Sequence, residues 1–492
     1  MGTSGSTPSV TRRVKRKLAP VAMRPPVTIV ADERTLTPYG GSIVVGELCR
    51  RLGLVAALDR AIEGASGARP FKRRRRGASA GQLLVALSES MLKGGDAFND
   101  MEDLRADEAG AELRAVAEVP PASTACQLAR RLSPEHLRVA EAAIAAAGDR
   151  LDSELARDPS EPVTLDFDST LVEVYGRRKP GASRAHTGQL AYQPVLGVWA
   201  ERGRVLSCEL LAGSDSTRAD STLELVRRTL ALLPAGHGHV GARFDAGFYR
   251  IELLRILREE GVSFSISVPR SAAMWRALEA IDEAAWEPAV DFPDAEVAET
   301  TYSPEDWGHE PLRLVVRRVA FAAEGIATDL RARRRRTIPK TQLSLIEAGE
   351  ATTAYGYSFI LTDMPGPPEL VEHHHRRRAQ IEERIKDHKL GVSLRHLPAA
   401  DRNANRTWLL ASALALNILA MLSDLAFGPD PDDRLPRRRQ AKHLRRMLLC
   451  VPARVIHHAR GVILRLPAGL RYAEDFARAY ARARGLSPPA AA

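Results

Sequence analysis

The order of secondary structure between Pro162 and Val268 constrains the fold of this chain more than any other feature of its sequence. Val163, Leu165 and Phe167 alternate with polar residues, which is typical of a half-buried β-strand ending at Asp168–Thr170. Two more strands follow around a turn and predict an antiparallel three-strand meander. Helix and strand then alternate. The later elements are predicted as strand Pro194–Ala200, strand Val205–Leu211, helix Ser221–Leu233, strand Val240–Phe244, helix Tyr249–Glu260 and strand Ser263–Val268.

This order matches a ribonuclease-H-like fold, a mixed sheet flanked by helices, provided that one more helix closes it. A long helix is predicted from about Glu369 to Lys389, after the strand Tyr357–Leu361 and the helix-breaking Pro365–Pro368. Arg270–Tyr355 contains strand-like pieces and no clean closing helix. We therefore expect a mixed α/β protein with a ribonuclease-H-like core that is interrupted by a largely β insertion.

The residues before this core have a helical pattern, with apolar positions three and four apart from Thr37 to Asp149. Ser133 before Pro134 is a good helix start, because Ser caps the helix and Pro is tolerated at its first position. Two short helices around the tight turn that carries Arg130 and Arg131 are compatible with a helix-turn-helix. A plain helical hairpin fits this pattern equally well.

The overall charge favours a polyanionic partner. Lys and Arg total 71 against 61 for Asp and Glu, which gives a formal net charge of +10. The positive residues occur in runs at Lys72–Arg76, Arg331–Arg336 and Arg376–Arg378. Each run by itself is also compatible with a solvated loop. Nucleic acid is therefore the first partner to consider.

Other features argue against a secreted or membrane protein. The four cysteines are far apart and have no C-x-x-C spacing, so neither a disulfide framework nor a cysteine zinc site is predicted. The N-terminus lacks the pattern of a secretory signal. Ser412, Asn417 and Asp424 interrupt the apolar stretch Trp408–Phe427, which predicts a buried core helix. We expect a cytoplasmic protein without a membrane segment.

Three acidic residues lie where the predicted fold brings its elements together. Asp168 ends the first strand, Asp245 follows the fourth, and Glu382 lies on the closing helix. Singly, they are better explained as a capping turn, a tight turn and an exposed helix position. Together they form a set of hard oxygen ligands suited to Mg²⁺, with Mn²⁺ as a substitute. Two such ions can activate the attacking oxygen and stabilise the leaving oxygen in phosphoryl transfer.

Two of these acids lie in segments that resemble motifs of a known family, the DDE-type insertion-sequence transposases with a Tyr-Arg-Glu-Lys signature. Val163–Thr170 is similar to their first motif, in which an Asp followed by two small hydroxyl-type residues ends a strand. Ala242–Phe248 is similar to the second motif. The resemblance implies that Asp168 and Asp245 are metal ligands. Asp166 lies on the same strand and is the alternative to Asp168.

The third motif is the most specific. His375, Arg378, Glu382 and Lys389 have the spacing of the signature, with His375 in place of its Tyr. Spacings of four and seven residues put the last three on one helix face. A carboxylate flanked by two cations can bind metal and also hold DNA phosphates. Glu383 is the neighbouring alternative, although the spacing favours Glu382.

The resemblance implies a DNA transposase that binds the ends of an insertion sequence and performs metal-dependent strand cleavage and transfer. Asp168, Asp245 and Glu382 would be the catalytic and metal-binding residues. Double-stranded DNA, both element ends and target, would be the partner of a homodimer. The alternatives are a nuclease of the same fold that does not transpose, and a catalytically inactive DNA-binding protein derived from a transposase. The expected DNA-contacting residues are Arg378, Lys389, His375, Arg130 and Arg131.

These expectations divide the chain into successive parts. They are a flexible basic arm (1–25), a helical DNA-binding region (26–150), the first part of the catalytic core (151–269), a β-rich insertion (270–355), the second part of the core (356–428), and a linker with a small C-terminal unit (429–492).

Overall fold

The computed structural model describes residues 27–72, 76–175, 179–185, 187–215, 217–327, 337–428 and 439–489. The chain divides into two units, Met1–Arg34 and Thr35–Ala492. In the first unit the described residues, from Val27 onward, are exposed. The predicted basic arm (1–25), the basic run Arg331–Arg336 and most of the predicted linker after Pro429 lie outside the described residues.

The regular elements of the second unit begin with short helices and continue into a mixed sheet flanked by helices. The helices are α1 (Ser42–Leu52), α2 (Leu54–Glu63), α3 (Ala80–Lys93), α4 (Met101–Ala106), α5 (Ala122–Ala129), α6 (Pro134–Glu154), α7 (Asp220–Ala231), α8 (Ile251–Glu259), α9 (Ala272–Glu279), α10 (Ala323–Ala327), α11 (Lys340–Glu347), α12 (Pro368–Arg376), α13 (Ala379–Gly391), α14 (Arg402–Phe427), α15 (Ala441–Leu444) and α16 (Ala473–Gly485). The strands are β1 (Leu36–Thr37), β2 (Val163–Ser169), β3 (Val172–Glu173), β4 (Ser183–Arg184), β5 (Leu190–Trp199), β6 (Arg204–Ala212), β7 (Val240–Phe244), β8 (Ser263–Ser267), β9 (Glu287–Pro288), β10 (Ala295–Tyr302), β11 (Leu312–Ala322), β12 (Thr353–Thr362), β13 (Ala453–His458) and β14 (Gly461–Arg465).

The predicted strand meander forms one side of the large sheet. β2 pairs antiparallel with β5, and β5 pairs antiparallel with β6. On its other edge β2 pairs parallel with β7, which pairs parallel with β8. The order across this part of the sheet is therefore β6-β5-β2-β7-β8, with α7 and α8 in the connections. The carboxyl ends of the parallel strands β2 and β7 lie at the same edge of the sheet.

Strand β2 is buried on both faces, not on one as predicted. Val163, Leu165 and Phe167 pack in the apolar cluster on one face of the sheet. Thr164 and Asp166 on the other face are also buried. The prediction was wrong here because a polar residue normally marks a solvated face, whereas Asp166 is buried together with a partner of opposite charge, Arg243.

The residues predicted as an insertion extend the same sheet. β10 and β11 form a long antiparallel hairpin, and β11 pairs with β12 from Arg313–Thr362 to Ala322–Thr353. β12 in turn pairs antiparallel with β8. Helices α9, α10 and α11 accompany these strands, so the segment combines helix with its β structure.

The predicted closing helix is two helices, α12 and α13, which are separated at Arg377–Arg378. In a continuous helix the His374 carbonyl would accept from the Arg378 amide, four residues later. Here Arg243 Nη1 donates to the His374 carbonyl at 2.7 Å. The Arg378 amide donates instead to the His375 carbonyl at 2.9 Å. A side chain that captures a backbone acceptor is a recognised cause of such a break, and the sequence pattern does not reveal it.

Besides the apolar cluster on one face of the sheet, the protein has another apolar core. The longest described helix, α14, lies at its centre. It is long and apolar enough to cross a membrane, but the whole of its apolar window is buried inside the protein, as expected for a core helix. Apolar residues of α1 to α6, α14 and α16 belong to one continuous cluster. The Asn417 side chain joins α14 to the sheet, because it bonds both the amide and the carbonyl of Val205 at 2.8 Å. The N-terminal helices and the C-terminal helix therefore share a core with the sheet's covering helix.

This shared core predicts that the N-terminal helices cannot be removed cleanly. Deletion of residues 1–149 would expose the apolar surface of α14 to water, so the remaining chain should lose cooperative unfolding in urea and should aggregate. Deletion of residues 1–34 is the matched control, and it should unfold like the full chain. A soluble 150–492 fragment with a cooperative urea transition would contradict the prediction.

Candidate active site

Three carboxylates lie near the edge of the sheet where β2 and β7 end. Asp168 is near the end of β2, and Asp245 follows β7 and caps the next turn, with Oδ1 accepting from the Gly247 amide at 2.9 Å. Glu382 is in the first turn of α13. The charges of Asp245 and Glu382 both raise the pKa of Asp168. The structure therefore brings the three predicted acids into one electrostatic neighbourhood.

Of the three carboxylates, Asp168 is the one whose surroundings disfavour its ionised form. Its side chain is mostly buried, and this burial is the main reason why its pKa rises to about 6. The Arg378 guanidinium, with Nη1 3.5 Å from Asp168 Oδ2, opposes that rise, and so does the Ser169 amide at 2.7 Å from Oδ1. Ionising Asp168 beside two other acids therefore costs free energy unless a cation lies close to it.

The donor set fits a divalent cation. Hard carboxylate oxygens on three elements, with an excess of negative charge at Asp168, are what Mg²⁺ and similar ions select. Among the residues that the structure describes, no group of three or more His, Cys, Asp or Glu side chains is gathered closely enough to form a metal cluster. The carboxylates are thus near enough to affect one another's ionisation without forming a closed coordination shell.

Asp166, the alternative to Asp168 as the first metal ligand, forms an ion pair with Arg243. Its two carboxylate oxygens accept from Nε and Nη2 of Arg243 at 2.6 and 2.7 Å, and both side chains are buried. Such a bidentate pair uses the carboxylate's strongest acceptor sites. Of the two acids on this face of β2, Asp168 is the one whose oxygens face the other carboxylates.

The two candidate glutamates on α13 are in different surroundings. Glu382 acts on Asp168 electrostatically. Glu383 lines a separate cavity of about 60 Å³ together with Asp166 and Arg384. Consecutive helical side chains point about 100° apart, so only one of the two can face Asp168.

The predicted DNA-contacting residues on α12 and α13 are divided between the site and the core. Arg378 lies at Asp168, as described above. Lys389 Nζ donates to Thr170 Oγ1 and to the Leu171 carbonyl, both at 2.9 Å, and thereby holds the loop that follows Asp168. His375 is buried, and its ring nitrogens lie 2.8 Å from Ser265 Oγ and 2.9 Å from Ser267 Oγ on β8. This placement does not support a direct DNA contact for His375.

The sequence analysis missed Arg243 as a residue of the site. It is fully buried between β2, β7 and α12, and it joins Asp166 to the His374 carbonyl. One signal could have identified it, namely a charged residue inside an otherwise apolar strand, Val240–Phe244. A buried charge requires a partner of opposite charge, and Asp166 on the neighbouring predicted strand was available.

The predicted DNA-contacting arginines of the N-terminal region are at the turn between α5 and α6. Arg130 and Arg131 are both exposed there. Helix α6 is buried along one face, where it packs on α2 and α14. The second of the two helices, α6, is thus a core element.

Comparisons with known proteins give one family match and one structural likeness. The family model for the transposase DDE domain, group 1, matches residues 19–488 of this chain. No curated protein matches the chain. Among solved structures, the chain is similar to the piggyBac transposase in its cryo-EM synaptic complex with hairpin DNA. That likeness has a TM-score of 0.40 and 11% identity, and it covers 83% of this chain and 80% of the other.

The buried pair Asp166–Arg243 yields a stability prediction. Asp166→Asn should destabilise the protein by about 3–5 kcal/mol, because it leaves a buried guanidinium without its counter-charge. The double variant Asp166→Leu/Arg243→Met should recover much of that loss, and Glu279→Gln, at an exposed position away from Asp166, is the control. Urea unfolding measures all three. An unchanged midpoint for Asp166→Asn would contradict the assignment.

The raised pKa of Asp168 yields a pH prediction for the metal-free protein. Its pKa is about 6 in the folded chain against an ordinary 3.8, so the folded state favours the protonated acid. Its stabilising contribution is present at low pH and is lost as pH rises through about 6. In a chelator, Asp168→Asn should therefore stabilise the protein by about 1–3 kcal/mol at alkaline pH, with little effect at acidic pH. Urea unfolding at both pH values measures this, and a pH-independent effect would contradict it.

Proposed function

The chain belongs to the transposase DDE domain group 1 family and is a DDE-type DNA transposase, and we propose that Asp168, Asp245 and Glu382 are its catalytic carboxylates. Enzymes of this family generally use divalent metal ions. The observation that carries the assignment is the electrostatic coupling of Asp168 with both other acids at one edge of the sheet. The pairing of both Asp166 oxygens with Arg243 supports the choice of Asp168 over Asp166.

The strand order supports a ribonuclease-H-like catalytic core. Three antiparallel strands, β6, β5 and β2, are followed by the parallel strands β7 and β8, with helices in the connections. In this proposal the hairpin β10–β11 is an insertion between the second Asp and the Glu, and α13 returns the chain to the edge where β2 and β7 end.

We assign Mg²⁺, with Mn²⁺ as a substitute, to the three carboxylates. When bound, such ions activate the attacking oxygen and stabilise the leaving oxygen of the phosphodiester. The chain's own cations would position the DNA. Nη1 of Arg378 lies 3.5 Å from Asp168 Oδ2 and makes no hydrogen bond with the described residues, so it would be available to donate to a phosphate oxygen close to Asp168. Lys389 uses two of its three donors on the Thr170–Leu171 loop and has one left for phosphate.

The reaction we propose is transposition of an insertion sequence. The enzyme would hydrolyse a phosphodiester at each element end and direct the freed 3′-hydroxyl onto target DNA. The N-terminal helical region, with Arg130 and Arg131, would contribute to binding the ends, and two chains would act together as a homodimer. In place of the predicted DNA contact, we assign His375 to the packing of α12 on β8, since both ring nitrogens face serine hydroxyls there.

The active-site assignment predicts a separation of cleavage from binding. Asp168→Asn, Asp245→Asn and Glu382→Gln should each abolish strand cleavage of the element's flanking DNA, because an amide keeps the shape of the side chain but loses the charge that a metal ion needs. Gel shifts with the same DNA should persist. Mapping of strand breaks with Mg²⁺ or Mn²⁺ measures the loss, and Ca²⁺ should allow assembly with little cleavage.

Glu383→Gln is the matched control, since it changes the adjacent residue on the same exposed turn of α13. It should cleave as the unmodified enzyme does. Full cleavage by Glu382→Gln, or activity that persists in a chelator, would refute the proposed site.

A further inference from the structure

A groove in the N-terminal region carries a cluster of positive charge that the active site does not use. It lies between the loop residues Gly67–Lys72 and Arg76–Ala78 on one side and the turn that joins α5 to α6 on the other, and its volume is about 980 Å³. Its cations come from both walls, and we call it the basic groove. They are Arg69, Lys72 and Arg76 on the loop, and Arg130 and Arg131 on the turn.

The guanidinium groups of this groove have no acidic partners. Arg69, Arg76, Arg130 and Arg131 are exposed, and none of them forms an ion pair with a carboxylate that the structure describes. The neighbouring arginine on α6 behaves differently, because Arg138 pairs with Glu224 at 2.9 Å. Glu135 is the one acidic side chain among the described residues that line the groove. The groove therefore has a net positive charge that the fold itself leaves uncompensated.

The two walls of the groove are close enough to repel each other. Burial lowers the pKa of Lys72, and the charge of Arg131 on the opposite wall lowers it further. The Lys72 ammonium also donates to the Arg76 carbonyl at 2.9 Å and to the Ala78 carbonyl, so the lysine is held in the loop. Like charges held together in this way are stabilised when an anion lies between them.

The groove is also organised before any ligand arrives. The His136 ring lies against the start of α6, with Nδ1 accepting from the Ser133 amide at 3.1 Å. The Arg69 backbone opposes the fall in the pKa of His136 that burial causes, so the loop wall lies close to the helix wall. The amino end of α6 lines the groove through Ser133 and His136, and the partial positive charge of a helix amino end favours anions.

The shape of this region favours phosphate contact over reading of base sequence. Insertion of α6 into a major groove would require an exposed helix, whereas α6 is packed on α2 and α14. The cations are on a turn and a loop, and arginines in such places bind phosphate oxygens and position a duplex without specifying its sequence. We infer that the basic groove binds the phosphate backbone of duplex DNA. This inference rests on the proposed function. It assigns DNA binding in this region to a sequence-independent phosphate clamp and not to a recognition helix.

The test measures the salt dependence of DNA binding. Each phosphate contact contributes about 0.9 to the slope of log K against log salt. The double variant Arg76→Ala/Arg131→Ala, one residue from each wall, should therefore lower that slope by about 2 in fluorescence polarisation between about 50 and 200 mM salt. The affinity should fall by the same factor for an element-end duplex and for an unrelated duplex.

Matched variants separate this effect from general loss of charge or of fold. Arg276→Ala removes an exposed arginine outside the groove and should leave the slope unchanged. Arg76→Gln/Arg131→Gln keeps a polar side chain on an aliphatic stem, removes the charge, and should repeat the effect of the alanine variant. Since the substituted residues are exposed, the thermal unfolding of both groove variants should match that of the unmodified protein.

An unchanged slope would overturn the inference, and so would a loss confined to the element-end duplex, which would indicate base readout. The groove variants should show the reduced slope, whereas Asp168→Asn should bind DNA with the full slope and not cleave. Failure of the phosphate clamp and failure of the active-site assignment therefore give different results.

Discussion

The buried ion pair between Asp166 and Arg243 is the interaction on which the geometry of the site depends. Arg243 is anchored on β7, its guanidinium bonds both oxygens of Asp166 on β2, and it also donates to the His374 carbonyl at the end of α12. Burial of two charges costs free energy, and close bidentate geometry offsets part of that cost. By taking the His374 carbonyl, Arg243 ends α12 and gives α13 a new start at Arg378. The direction of α13, and with it Glu382, follows from this bond.

A second constraint acts at the carboxylates. Burial and two neighbouring acids raise the pKa of Asp168, and Arg378 compensates only part of that effect. The metal-free site is therefore under electrostatic strain that a divalent cation would relieve, because the ion supplies the missing positive charge. Lys389 contributes to the same arrangement by holding the loop after β2. Stability and metal affinity are thus expected to change in opposite directions when Asp168 loses its charge.

The long helix α14 connects this chemistry to the N-terminal region. Its apolar residues pack with those of α1 to α6 and of α16 in one cluster, and Asn417 ties it to β6. The basic groove and the carboxylates consequently belong to one compact unit, Thr35–Ala492. A duplex held by its phosphates in the groove would therefore lie on the same compact unit as the carboxylates.

The sequence by itself determined the order of strands and helices, the position of Asp168, Asp245 and Glu382 on those elements, and the burial of Trp408–Phe427. These features are local, since periodicity and spacing along a strand or helix are set by backbone geometry. The tertiary structure decided what the charged residues do. In the sequence, Asp166 alternates with apolar residues just as Asp168 does. Only the pairing of β2 with β7 shows that Arg243 forms an ion pair with Asp166. The break after α12, the bond of Lys389 to Thr170 and the burial of His375 against β8 all depend on partners that are distant in the chain. Partners of buried polar groups are chosen by packing in three dimensions, and a pattern along one segment contains no information about them.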